Sequence, residues 1–173
     1  MYLSEKKNIE KATAQLFLNL YNNMMSTNYD IQKLGDTPDV ICKDTNTGRV
    51  LELEITLLQD VQGDVAYVLG RGQKPISPTT KSTVVSFNDD TATQLDTILG
   101  KKLLSSYGAN AALVIRQVSP LWEPKEWTIL APKFRQKFLK GKQENYGMSV
   151  WIICTDNLTW PATYTLFRLS EPR

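Results

Sequence analysis

Pro38-Asp39-Val40-Ile41-Cys42-Lys43-Asp44-Thr45-Asn46-Thr47-Gly48-Arg49-Val50-Leu51-Glu52-Leu53-Glu54-Ile55-Thr56-Leu57-Leu58 decides how the rest of this chain is read. Gly35-Asp36-Thr37-Pro38 forms a turn ahead of it, and Asp39-Val40-Ile41-Cys42 then begins a strand. Asp44 to Gly48 is a second turn, short enough to fold the chain into a hairpin. Val50 to Leu58 is the clearest strand of the sequence: Leu51, Leu53, Ile55 and Leu57 point one way, and Glu52, Glu54 and Thr56 the other.

Upstream, residues 4–24 read as a helix. Ser4 is the N-cap, and Ile9, Ala12, Leu16, Leu20 and Met24 recur at helical spacing as the buried stripe. Tyr29 to Lys33 is a short strand. Downstream, residues 62–82 are rich in Gly, Pro, Ser and Thr and read as a long loop, followed by a short strand at 83–87. Thr91 to Tyr107 is predicted as a second helix and Ala111 to Val118 as a buried strand. After Leu130-Ala131-Pro132, a short helix spans Lys133 to Leu139. Val150 to Cys154 is another buried strand, and Tyr164 to Leu169 a terminal, more amphipathic one. The sum is one α/β domain over residues 1–173, a mixed sheet flanked by helices.

Composition narrows the chemistry. With 173 residues, 42% of them hydrophobic and 22% charged, the chain can bury a core of its own. A net charge of +2 means that any contact with nucleic acid is local rather than global. The sequence has no histidine, which removes Ser-His-Asp and Cys-His triads and histidine-ligated zinc. Cys42 and Cys154 lie in separate apolar runs and read as reduced core residues. No apolar run approaches the ~20 residues of a membrane span, so a cytoplasmic protein with no membrane partner is the plain reading. An enzyme of this composition works with carboxylates, lysines, tyrosines, hydroxyls or a hard metal ion.

Carboxylates are where the sequence is most informative. Glu52 and Glu54, two apart on a strand, project from one face about 6.5–7 Å from each other, and the hairpin partner, about 4.8 Å away, begins at Asp39. Acids crowded on one sheet surface repel unless a cation sits among them. Mg²⁺ suits such a set because it takes a few carboxylates and keeps several waters. The plainer alternative is an amphipathic strand whose outer face is simply wet.

Pro38-Asp39, a strand, a turn and then Glu52-Leu53-Glu54-Ile55-Thr56 resemble the motif of the PD-(D/E)XK nuclease superfamily. The resemblance covers roughly residues 5–60, and Thr91 to Val118 continue that family's αβββαβ, restriction-endonuclease-like order. It implies a metal-dependent endonuclease acting on DNA with Mg²⁺ or Mn²⁺. Asp39, Glu52 and Glu54 would hold the metal, and Glu10 (or, less well placed, Glu5) would approach from the first helix. The family's lysine is missing after either acid: Glu54 or Thr56 stands in its place. Lys81, Lys101 and Lys102 are the candidates for a migrated lysine, Lys102 foremost. Homodimers are common among such nucleases, so a homodimer is expected from the resemblance alone. The missing lysine also supports an alternative, a nuclease-fold protein without catalysis that binds nucleic acid or protein.

Two basic segments could meet phosphates: Arg71 and Lys74 in Gly70-Arg71-Gly72-Gln73-Lys74, and Lys133, Arg135 and Lys137 in Lys133 to Lys142. Each has a plainer alternative as solvated surface. Trp122 and Trp127, among prolines, are expected near an exposed edge.

Overall fold

The chain enters the fold through helix α1, Glu5–Met25. The computed structural model describes residues 4–58, 89–103, 108, 110–118, 124–141, 148–156 and 163–170. Ser4 caps α1 by accepting the Lys7 N–H at 3.4 Å, and Ser26 ends it in the left-handed region at φ 54. The buried face differs from the expected stripe. Glu10, Thr13, Ala14, Phe17 and Leu18 face inward, while Ala12 is exposed and Met24 is 52% exposed. The cause is aromatic packing: Phe17 and Tyr21 meet Trp151 edge-on at 6.0 and 5.3 Å, and this contact sets the helix rotation. Two polar residues, Glu10 and Thr13, therefore sit on the inner face, where apolar periodicity gives no hint of them.

Strand β1 (Tyr29–Leu34), β2 (Val40–Asp44) and β3 (Val50–Leu58) follow as an antiparallel set. The β2–β3 hairpin turns where expected. Gly48 adopts φ 72, a conformation glycine takes without strain, and Asp44 accepts the Thr47 hydroxyl at 2.6 Å and the Asn46 N–H at 3.1 Å. Helix α2 (Asp89–Leu103) leads to β4 (Ala111–Gln117), parallel to β3. Helix α3 (Pro124–Gly141) leads to β5 (Met148–Asp156), parallel to β4, and β6 (Thr163–Ser170) closes the sheet antiparallel. The strand order is β1-β2-β3-β4-β5-β6 in one mixed sheet.

α3 corrects the sequence reading. It begins at Pro124 and runs through Pro132 instead of starting after it. Pro124 suits a first helical position, since its missing N–H has no partner to lose there. Pro132 forfeits one internal hydrogen bond, but Trp127, Leu130, Ala131 and Phe134 are buried along the same helix and offset that loss. Trp127 is fully buried, its indole N–H donating to Gln117 at 2.6 Å, so it is not at an exposed edge.

Each face of the sheet carries a core. Ala14, Phe17 and Leu18 of α1 pack on Val40, Leu53, Ile55, Val114, Trp151 and Ile153. Leu95 and Leu99 of α2, with Trp127 and Phe134 of α3, pack on Leu113, Ile115, Val150 and Ile152. The central strands β4 and β5 are buried on both sides, as parallel strands between helices must be. Cys42 and Cys154 are free and buried, and burial pushes the Cys42 thiol up to about 12, so it is inert packing. No helix among the described residues is long and apolar enough to cross a membrane. The expected loop at 62–82, the strand at 83–87 and Trp122 lie outside the described residues.

Candidate active site

The hairpin register brings the two acids of interest together. Val40 pairs with Leu53, so Asp39, one residue before, comes opposite Glu54, one residue after. Both are buried, Asp39 at 3% exposure and Glu54 at 6%. Glu54 therefore does not lie on a wet strand face: α2 packs over that side of the sheet.

Asp39 accepts one backbone hydrogen bond, from the Ile55 N–H to Oδ2 at 2.8 Å. Its carboxyl is nevertheless raised above the ordinary carboxylate range. Burial is the main cause, and the negative charges of Glu54 and then Glu10 add to it; the Ile55 N–H and the Lys102 ammonium oppose it. Asp39 thus feels groups from α1, β3 and α2 together. Glu10, 4% exposed, is the buried acid of α1.

Ammonium groups balance these acids. Lys102, in the last turn of α2, is ion-paired to Glu54 Oε1. The other oxygen, Oε2, is buried and has no hydrogen-bond partner. Lys6 and Lys7 reach Glu10 at 3.2 and 2.9 Å. Lys7 also contacts Asp36 at 3.1 Å and donates to the Gly35 carbonyl, joining the first turn of α1 to the loop that precedes Asp39. Its own pKa is raised, first by the bond to Glu10. Gly35 is required in that loop: its N–H donates to the Asp39 carbonyl at 2.9 Å, and an added Cβ would stand 2.6 Å from the Pro38 oxygen. Lys7 escaped the sequence reading, although its position three residues before Glu10 is the usual spacing for a helical ion pair.

No family model, curated protein or solved structure gives a significant match to this chain.

Among the described residues, no group of three or more acidic or cysteine side chains forms a ready-made metal cluster. Asp39 and Glu54 still fit a hard divalent cation. They offer only oxygen donors, one of them the unpartnered Glu54 Oε2, and Mg²⁺ binds through one or two carboxylates while keeping water. The remaining candidates are placed differently. Glu52 is half-buried, opposite Ile41, and is not among the groups that act on Asp39. Glu5 is half-buried at the start of α1, and Lys101 is exposed. Lys133 and Arg135 are exposed on α3, where Arg135 donates to the Arg168 carbonyl at 3.0 Å and so ties α3 to β6. Arg71, Lys74, Lys81 and the side chain of Lys137 lie outside the described residues.

Proposed function

We propose that this chain is a restriction-endonuclease-like, metal-dependent nuclease that hydrolyses phosphodiester bonds of DNA. The observation that carries the reading is the opposition of Asp39 and Glu54 on paired strands, with Lys102 on Glu54 and Glu10 in electrical reach. Acids from separate parts of a chain, buried together against their mutual repulsion, cost stability, and such costs are characteristic of working sites.

Mg²⁺ or Mn²⁺ held by Asp39 and Glu54 would make a bound water more acidic and draw charge from the phosphoryl oxygens. Hydrolysis then adds water to phosphorus, breaks one P–O bond and leaves a proton for the departing oxygen. Asp39 is held in place by the Ile55 N–H and by the loop that Lys7 fastens. Lys102, sharing Glu54, stands where an ammonium can stabilise charge growing on the phosphoryl group. Lys102 so serves as the lysine that the strand itself lacks. Two free, buried cysteines suit a reducing compartment, and we place the activity in the cytoplasm.

A second reading draws on the same ion pair. An ammonium that already neutralises Glu54 competes with a cation for it, as in a nuclease-fold protein that binds without cutting. Plasmid nicking separates the two. With Mg²⁺ or Mn²⁺ the wild type is expected to nick, and Asp39→Ala and Glu54→Ala to lose at least about a hundredfold of that rate. Wild-type protein that retains plasmid yet never nicks it sinks the first reading in favour of the second.

A further inference from the structure

Glu10 carries two lysines, and they are held differently. The Lys6 ammonium stands 3.2 Å from Oε1, and that of Lys7 2.9 Å from Oε2. The Lys6 side chain is 76% exposed, and among the described residues Glu10 is the one acid it reaches. The Lys7 side chain is 17% exposed and enclosed by oxygens: besides Glu10 it meets Asp36 Oδ1 at 3.1 Å and donates to the Gly35 carbonyl. An exposed ion pair one turn apart on a helix contributes little and gives way readily to water. Three oxygen neighbours match the three donors of an ammonium, and those of Lys7 come from α1 and from the loop before β2. Lys7 is a crosslink; Lys6 is not.

The crosslink reaches Asp39 by two routes. Gly35 gives its carbonyl to Lys7 and its N–H to the Asp39 carbonyl at 2.9 Å, so a single residue separates the ammonium from the aspartate. Lys7 also pairs with Glu10, whose charge acts on Asp39. Asp39 stands just outside β2, which begins at Val40 opposite Leu53. Ile55 lies beyond that last strand pair, and its N–H donates to the Asp39 carboxylate. The Ile55 amide therefore reports where the carboxylate is.

We infer that Lys7 is a positioning residue that fixes the Asp39 carboxylate, through Gly35, where a divalent cation shared with Glu54 needs it. The placing of Asp39 stands by itself; the cation rests on the nuclease reading. Lys6 is the internal control, since charge and position predict opposite signs. Removing either ammonium leaves Glu10 less neutralised and by charge alone draws a cation in more strongly. Removing a group that orients a metal ligand weakens the metal, by about tenfold to a hundredfold.

Two measurements on the whole chain test this, with wild type, Lys7→Met, Lys7→Arg and Lys6→Met. The first is amide hydrogen exchange by NMR, read as the Ile55 rate relative to that of Ile152, a fully buried residue of β5. A fold weakened as a whole speeds both amides alike. In Lys7→Met the ratio is expected to rise about tenfold, the effect of losing one hydrogen bond. Lys6→Met should leave the ratio unchanged, and Lys7→Arg should restore part of it. If methionine at position 7 does not fold, Lys7→Gln, neutral but polar, takes its place in the comparison. An Ile55 amide as protected in the neutral Lys7 variant as in wild type overturns the inference.

The second measurement is calorimetric titration with Mn²⁺ in the absence of DNA. Lys7→Met should bind about tenfold more weakly than wild type or worse, and Lys6→Met at least as tightly as wild type. Equal effects of the two variants, in either direction, overturn the inference and leave the nuclease reading standing. A raised Ile55 ratio in Lys7→Met, beside a wild type that binds no Mn²⁺, keeps the positioning of Asp39 and rejects the nuclease reading.

Discussion

Asp39 and Asp44 flank the same short strand, and both are buried, yet their surroundings push them in opposite directions. Asp44 is satisfied: the Thr47 hydroxyl first, then the Asn46 N–H, hold its carboxyl below the ordinary range. Asp39 has one backbone N–H and two acidic neighbours, and its carboxyl is pushed up. One aspartate closes a turn and stabilises the fold. The other is kept at a cost to the fold. Burial alone does not separate a structural acid from a working one; its partners do.

The widest gap between the two should appear in activity. Asp39→Asn is expected to abolish metal-dependent nicking, and Asp44→Asn to leave the rate per folded molecule unchanged. An Asp44 variant as dead as the Asp39 variant, at a temperature where both are folded, would erase the distinction.

Stability comes next. Lys102→Met strands the Glu54 carboxylate beneath α2 and is expected to cost about 1–2 kcal/mol in urea unfolding, a figure reduced because the lysine is partly exposed. Adding Glu54→Gln should recover part of that loss, since the two residues are coupled. A strictly additive double variant would mean that the pair contributes nothing.

Smaller effects sharpen the contrast through pH. Asp44 has a lowered folded-state pKa, so its stabilisation is present above 3.8 and fades as pH falls through the folded value. Asp44→Asn should therefore melt below wild type at neutral pH, with the gap closing in acid. Asp39 runs the other way. Its folded pKa lies above 3.8, so the folded state loses stability as pH rises from there through the raised value. Asp39→Asn keeps an acceptor for Ile55 N–H and is expected to melt about 2–4 °C above wild type at neutral pH, the shift that ~1 kcal/mol makes in a chain of this size. Below that window the two should coincide, and Mg²⁺ should narrow the neutral-pH gap by stabilising only wild type. An Asp39→Asn protein less stable than wild type at pH 7 contradicts the assignment of repulsion at this site.

The hairpin was fully legible because everything that makes it is local. Alternation of Leu51, Leu53 and Ile55 with Glu52 and Glu54 assigns the faces, and Asp44 to Gly48 contains its own turn chemistry. The α1 stripe was legible only in part: Leu16 and Leu20 pack against the core, but Ala12 and Met24 are exposed because the helix rotation follows Phe17, Tyr21 and Trp151, and Trp151 lies far along the chain. The true start of α3 was hidden by Pro132, a local stop signal that burial of Trp127 and Phe134 overrides. Lys102 stood in the sequence as the foremost of three candidate lysines, 48 residues from Glu54, but its ion pair with that acid follows only from the crossover from β3 to β4 that sets α2 over it.

By itself, then, the sequence determined which residues alternate, where the first helix is capped, where the chain turns, and that any chemistry here must work without histidine. These follow from forces acting across a few neighbouring residues. Only the tertiary structure decided that Glu10 acts on Asp39, that Lys102 binds Glu54, and that Lys7 joins Glu10 to the loop before Asp39. Charge in a poorly polarisable interior reaches across space and not along the chain, so its partners are chosen by packing.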